Sequence, residues 1–472
     1  MSNAADENDG TARSSSKLTD LHSANHPTPE GRPLLRRLLR SLTGPAAPQT
    51  TVSITKARRA IALCHALLSE RGEASVARLA AEALAAYTSL DDAALDVFFD
   101  GLIDEFSADT ETVRQAAQAY SDGPSQTNLM QLQAAVESPR QELFRRFNMI
   151  PGGTAALVGL RRQLLPTLSD HPQRAGIDAD LAHLLRSWFN RGFLVLQRID
   201  WRTPALVLER LIQYEAVHQI QGWRDLRRRL ESDRRCYAFF HPALPDEPLI
   251  FIEVALTRGI AANVKPLLDA DAPVADPGQA DCAVFYSITN CQSGLRGVSF
   301  GNFLIKQAVE DLTREFRRLR TFATLSPIPG FLRWLTTSTA VKPRSAELNE
   351  LLRRLVNRDP LPDIRMSEQL RREVTGLCAY YLLRAKRSSE SLDPVARFHL
   401  ANGARLERLN WMGDTSEMGM RQSLGLAVNY VYRLADVERN HESYAKTGNI
   451  VASHELETIA RKFSSSKTAS RQ

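Results

Sequence analysis

Ala283-Val284-Phe285-Tyr286-Ser287-Ile288, followed by Gln292-Ser293-Gly294-Leu295-Arg296-Gly297-Val298-Ser299-Phe300-Gly301-Asn302-Phe303, is the passage on which the fold turns. The first run is apolar and aromatic, as a buried strand is. The second places glycines in a turn that opens into an apolar-periodic helix through Phe303, Leu304, Ala308 and Leu312. Glycine lets a backbone come close to a ligand, and the free N–H groups of a helix start attract phosphate. That attraction contributes about 0.3–1 kcal/mol when exposed and up to ~2 kcal/mol when partly buried. Arg296, Gly297, Val298, Ser299, Gly301 and Asn302 are therefore candidate phosphate contacts, with Lys306 adding charge from the first turns of the helix. The glycines alone fit a plain strand–helix connection equally well.

Working outward, three more strands precede this one. Gly192 to Ile199, Cys236 to Phe240, and Leu249 to Leu256 behind Pro248 are rich in aliphatic and aromatic residues. Helical stretches lie between and after them, including Phe303–Arg317 and Ser345–Leu355, so a mixed α/β domain is expected over 191–460. Upstream the texture is helical. Leu95, Phe98, Phe99, Leu102, Ile103 and Phe106 form one apolar face at the α period. Ser138-Pro139-Arg140-Gln141 reads as an N-cap, a proline at the first position and a capping-box glutamine, in a helix that stops before Pro151-Gly152-Gly153. The expected class is α+β: an all-helical bundle over 49–190, then the mixed domain. Residues 1–48 are polar and expected to be disordered, apart from a short basic helix near Leu34–Leu42, and 461–472 are expected to form a flexible tail.

A chain of 472 residues suits two or three domains, and 43% hydrophobic with 24% charged residues is ordinary for a globular protein. No run approaches roughly 18 uninterrupted apolar residues, so no membrane association is expected. The N-terminus lacks a secretory pattern, and Asp6, Glu7 and Asp9 argue against a transit peptide. Cys64, Cys236, Cys282, Cys291 and Cys378 are dispersed, which suits a reducing cytoplasm and gives no metal-ligand spacing. A net charge of +6 and a pI near 9.1 favour an anionic partner without choosing one. The run Arg224, Arg227, Arg228, Arg229, Arg234 and Arg235 reads as a solvated face or as phosphate contacts. It has no interleaved aromatic platform, so nucleic acid is not expected.

Three further segments carry a family resemblance: Leu325-Ser326-Pro327-Ile328-Pro329-Gly330-Phe331-Leu332-Arg333-Trp334-Leu335, Phe398-His399-Leu400-Ala401-Asn402-Gly403-Ala404 and Leu409-Asn410-Trp411-Met412-Gly413-Asp414. With Phe285-Tyr286-Ser287-Ile288 and the glycine turn, they resemble the malonyl-CoA decarboxylases, in the family's order, from about Gly192 to Arg433. The spacing of Arg296, Gly297 and Gly301 also resembles, with a longer gap, the pyrophosphate loop of GNAT-type acyl-CoA proteins. The resemblance implies a GNAT-like catalytic domain behind a helical domain used in homo-oligomer assembly, as a dimer or tetramer. It implies catalytic roles for Ser326 and His399, and a place in the site for Tyr432 of Asn429-Tyr430-Val431-Tyr432. Some family members carry Glu where this chain has Ser299, so a carboxylate role at that position does not carry over. Taken alone, Ser326 before a proline reads as a turn residue, His399 as a core histidine and Tyr432, near the end of a helix, as packing.

The implied reaction turns malonyl-CoA into acetyl-CoA and CO₂ in the cytoplasm. Loss of CO₂ leaves an enolate on the thioester, which is itself the electron sink, so no metal or organic cofactor is expected. Donors at the oxygen that becomes anionic are often worth about 10²–10³-fold each. His399 is expected to be the acid that protonates the enolate, since an ordinary imidazole titrates near neutrality. Ser326 would bind the malonyl carboxylate or relay the proton. The competing readings are a GNAT-type acyltransferase, which needs an acceptor, and a non-catalytic malonyl-CoA sensor.

Overall fold

The apolar face at Leu95–Phe106 is realised by the helix Asp92–Asp104, whose N-cap Asp91 accepts from the N–H of Ala94. Leu95, Phe98, Phe99 and Leu102 are buried in the core, with Phe106 just past the helix end. The computed structural model describes residues 47–298, 304–338, 345–357 and 367–464. The segment 1–46, the short helix expected at Leu34–Leu42, and the last residues from 465 lie outside the described residues.

From Ala47 to Trp188 the described chain is helical. The helix Pro139–Asn148 begins at Ser138 as expected, but the capping box does not form. Ser138 Oγ and Gln141 Nε2 instead donate to the Asp180 carboxylate, at 2.7 and 2.9 Å. That carboxylate, on the neighbouring helix Ala175–Trp188, draws both side chains away from the local backbone.

A seven-stranded sheet follows, in the order β1-β2-β3-β4-β5-β9-β8. Its strands are β1 (Val195–Ile199), β2 (Arg234–Phe240), β3 (Ile250–Thr257), β4 (Cys282–Asn290), β5 (Thr321–Thr324), β8 (Arg405–Asn410) and β9 (Ala427–Tyr432). β6 (Lys386–Arg387) and β7 (Glu390–Ser391) form a separate small hairpin. Among the described strands only β4 and β5 pair in parallel; their crossover contains the glycine turn and the helix Leu304–Glu315. This is the expected α+β arrangement, helices first and then a mixed sheet. The expected strand at Gly192 starts at Val195, because Arg191–Phe193 is a short helical turn.

β2 and the first seven residues of β3 are buried on both faces, which explains their near-continuous apolar sequence. One face joins the core of the helical domain through Tyr237, Phe239, Ile252, Val254 and Phe285. The other packs Cys236, Ala238, Phe240 and Phe251 against the helices Ala205–Tyr214 and Trp223–Arg229.

Four of the six arginines in the run fit neither of the two expected readings. Arg228 and Arg234 reach Asp233 at 2.7 and 3.0 Å, Arg229 reaches Glu253 at 2.8 Å, and Arg235 donates to Glu315 at 3.0 Å. These four arginines are buried, each against a carboxylate, although at Arg234 burial still pulls the guanidinium below its ordinary range. Arg224 and Arg227 remain on the surface.

Candidate active site

Ser326 stands where β4 and β5 part. The N–H of Leu325 still donates to the Phe285 carbonyl of β4 at 3.0 Å, while Ser326 exchanges backbone hydrogen bonds with Val428 of β9, each 2.9 Å. β4 runs on to Asn290 paired with β3. Its ladder with β3 is broken between Phe285 and Ser287, leaving Tyr286 as an extra, bulged residue.

The helix Pro394–Ala401 brings His399 to Ser326. Its Nε2 lies 3.1 Å from Ser326 Oγ and its Nδ1 2.8 Å from the Tyr432 hydroxyl. Ser326 Oγ donates in turn to Thr324 Oγ1 at 2.8 Å. The directions agree if Tyr432 O–H donates to Nδ1 and Nε2–H donates to Ser326. The imidazole stacks on Tyr430 with ring centres 4.6 Å apart and meets the edge of Phe398. All of this is buried, with Ser326, His399 and Tyr432 at 6%, 3% and 4% exposure.

Burial decides the charge here. It pushes the His399 imidazole down to about 3, so the ring is neutral. The expectation of a side chain titrating near neutrality is therefore corrected. Burial also lifts the Tyr432 and Tyr430 hydroxyls well above their ordinary range, so both stay protonated. Tyr432 itself is the last residue of the inner strand β9, just before the helix Leu434–Thr447 begins, and is not part of a helix. Val428, Tyr430 and Tyr432 alternate onto the core face, a strand period that the helical reading overlooked.

Asp393 aligns the two halves of this arrangement. Its Oδ1 accepts from the N–H groups of Val395 and Ala396, both at 3.0 Å, capping the helix that carries His399. Its Oδ2 accepts from the N–H of Gly330, in the loop after Ser326, and from Tyr381 Oη, at 3.2 and 3.3 Å. Burial raises the Asp393 carboxyl above its usual range, against the pull of its N–H donors. Asp393-Pro394 is a helix-start signal visible in the sequence but passed over. Thr324 carries no such signal. Around the β4 bulge, Glu215 accepts from Ser287 at 2.8 Å, Thr289 at 3.2 Å and the His218 N–H at 2.6 Å. His218 is also hydrogen-bonded to the backbone of Tyr286.

The glycine turn is described as far as Val298. Arg296 and Gly297 are exposed and Val298 is buried. Gly297 has φ of +78°, with nothing within 4 Å of where a Cβ would stand. Its backbone, not crowding, therefore calls for glycine. Ser299, Gly301 and Asn302 lie outside the described residues. Lys306 forms a 2.9 Å ion pair with Glu438. Among the described residues no group of three or more His, Cys, Asp or Glu side chains is placed to hold a metal ion.

Comparison with known proteins identifies the family. The profile described as malonyl-CoA decarboxylase C-terminal domain matches residues 192–470, and that of the N-terminal domain matches residues 106–189. The chain belongs to the malonyl-CoA decarboxylase family. It is 36% identical over 394 residues to the mitochondrial malonyl-CoA decarboxylase of Anser anser anser, covering 77% of each chain. The Rattus norvegicus mitochondrial enzyme is 37% identical over 350 residues, covering 68% of this chain and 71% of its own. Among solved structures, malonyl-CoA decarboxylase from Rhodopseudomonas palustris superposes with a TM-score of 0.80 at 49% identity, covering 85% of this chain and 99% of its own. That from Agrobacterium vitis gives 0.79 at 47% identity, with the same coverage. For a member of this family, the structure brings together Ser326, His399 and Tyr432, and sets Arg296, Gly297 and Val298 on the turn after β4.

Proposed function

We propose that this chain decarboxylates malonyl-CoA to acetyl-CoA and CO₂ through a thioester enolate, with Ser326, His399 and Tyr432 as its proton relay. The carrying observation is the buried line from Tyr432 Oη through both ring nitrogens of His399 to Ser326 Oγ. The C–C bond to the carboxylate breaks and its electron pair moves into the thioester. Backbone N–H groups then hold the enolate oxygen; the bulge at Tyr286, which breaks the β3–β4 ladder, supports placing them there. Ser326 gives its hydroxyl proton to the α-carbon. Nε2–H of His399 refills Ser326, Tyr432 refills the ring at Nδ1, and the proton that balances the reaction enters from solvent. A relay of neutral groups needs no imidazolium, which accords with the depressed pKa of His399.

The turn at Arg296, Gly297 and Val298, with Ser299, Gly301, Asn302 and Lys306 beyond it, is assigned to the CoA phosphates. Lys306 would exchange Glu438 for phosphate. The helical domain is assigned to self-association as a dimer or tetramer. Its helices Thr110–Asp122 and Gln126–Val136 contain no buried residue, and Met130 and Val136 are largely exposed, which supports a covered face in an assembly. No described helix is long and apolar enough to cross a membrane. Five free, buried cysteines fit a reducing compartment, and we assign the chain to the cytoplasm.

The test is release of CO₂ and acetyl-CoA from malonyl-CoA by purified protein with no acceptor present. Turnover under those conditions supports the reading; turnover that requires an amine or other acceptor replaces it with acyl transfer.

A further inference from the structure

The helical domain meets the glycine turn through a buried arginine and a close backbone approach. Arg161, on the helix Gly153–Leu164, is 4% exposed. Its Nη1 donates to the carbonyls of Gly294 and Arg296, at 2.7 and 2.8 Å, and its Nε to Asp178 at 2.8 Å. Gly294 is seated just as closely. A Cβ there would stand 2.1 Å from the backbone oxygen of Val158 on the same helix, so only glycine allows the two segments to close. The carbonyl of Arg296 is thus held from the helical side while its side chain is exposed, and Gly297 turns the chain away at φ +78°.

We propose that Arg161 is a positioning residue for CoA: the helical domain shapes the phosphate turn across the domain boundary, besides any part in assembly. This rests on reading the turn as the CoA site. The two N–H groups of Nη1 hold two carbonyls two residues apart while Nε holds Asp178, and the planar guanidinium fixes these directions together, which sets the curvature of the chain between the carbonyls. A turn fixed beforehand has less freedom to lose when the diphosphate arrives. Asp178, paired to the same guanidinium, keeps the fork aimed.

The experiment compares malonyl-CoA with malonyl-pantetheine, a thioester without the diphosphate and nucleotide, in the full chain and in Arg161→Met, Arg161→Lys and Gly294→Ala. Binding of free CoA is titrated by calorimetry beside the kinetics, and melting temperatures establish that each variant is folded. In Arg161→Met and Gly294→Ala, KM for malonyl-CoA and Kd for CoA should both rise on the order of tenfold, with kcat within about twofold. Kinetics with malonyl-pantetheine should be unchanged. Arg161→Lys keeps the charge but not the fork, and should fall between wild type and Arg161→Met. Equal losses on both thioesters would make Arg161 a structural contact and overturn the proposal, as would a folded Arg161→Met with unchanged KM and Kd. If the wild type binds CoA but turns over neither thioester, the decarboxylation reading fails while the CoA titration still decides the role of Arg161.

Discussion

Two groups of buried polar side chains lie on opposite faces of the sheet and bear burial differently. Beside β2 and β3, Arg229 meets Asp225 and Glu253, while Arg228 and Arg234 share Asp233. Burial works against the charge of Arg229, but Glu253 and Asp225 outweigh it and hold the guanidinium charged. Burial also pushes the Glu253 carboxyl up to about 8, against the pull of Arg229. Around His399 the groups are Thr324, Ser326, Tyr430 and Tyr432, and burial keeps the imidazole and phenols neutral. Paired charges fix a geometry, and where the carboxylates outweigh burial, as at Arg228 and Arg229, the guanidinium holds its proton tightly. A chain of neutral hydroxyls and one imidazole leaves protons free to shift along it, which suits a reaction that consumes one.

That contrast breaks if the neutral chain proves dispensable. His399→Ala should lower kcat by about 10²–10⁴-fold with KM little changed, and Ser326→Ala should do likewise. A loss confined to KM would reduce both residues to binding. On the charged side the expected damage is to stability. Arg229→Met should lose about 3–5 kcal/mol in denaturant unfolding, because it leaves buried Asp225 and Glu253 without their cation. A loss below about 1 kcal/mol would mean the pairs merely break even with packing. Asp393→Ala removes the cap of the His399 helix and should cost about 0.5–2 kcal/mol, with kcat falling more than KM rises. An unchanged kcat would show that His399 and Ser326 keep their alignment without it.

A further expected effect is in pH dependence. His399 has a pKa of about 3 in the folded chain against an ordinary 6.5. Between those values only the unfolded chain takes up the proton, so folding is favoured fully above pH 6.5 and loses ground as pH falls toward 3. Unfolding of His399→Asn, which has no imidazole to protonate, should therefore show a shallower loss over pH 6.5 to 4 than the wild type. Identical slopes would put the ring in contact with solvent protons and remove the distinction between the two groups.

The linear sequence carried much of this protein in plain view. Strand-length apolar runs at Cys236–Phe240 and Leu249–Leu256, the helical face at Leu95–Phe106 and the glycine turn after Ile288 all depend on local periodicity and backbone preference. Motifs around Ser326 and His399 were legible for the same reason, as contiguous residues in order. What they touch was not. Ser326 and His399 are 73 residues apart, and His399 and Tyr432 are 33 apart, so their hydrogen bonds exist only once β5, β9 and the helix Pro394–Ala401 are packed. The neutral state of His399 and the burial of four arginines from a run that looked solvated were likewise decided in three dimensions. The contact of Arg161 with the turn at Gly294 belongs with them. Periodicity is a property of neighbours along the chain, whereas desolvation and ion pairing depend on neighbours in space, and only the folded structure supplies those.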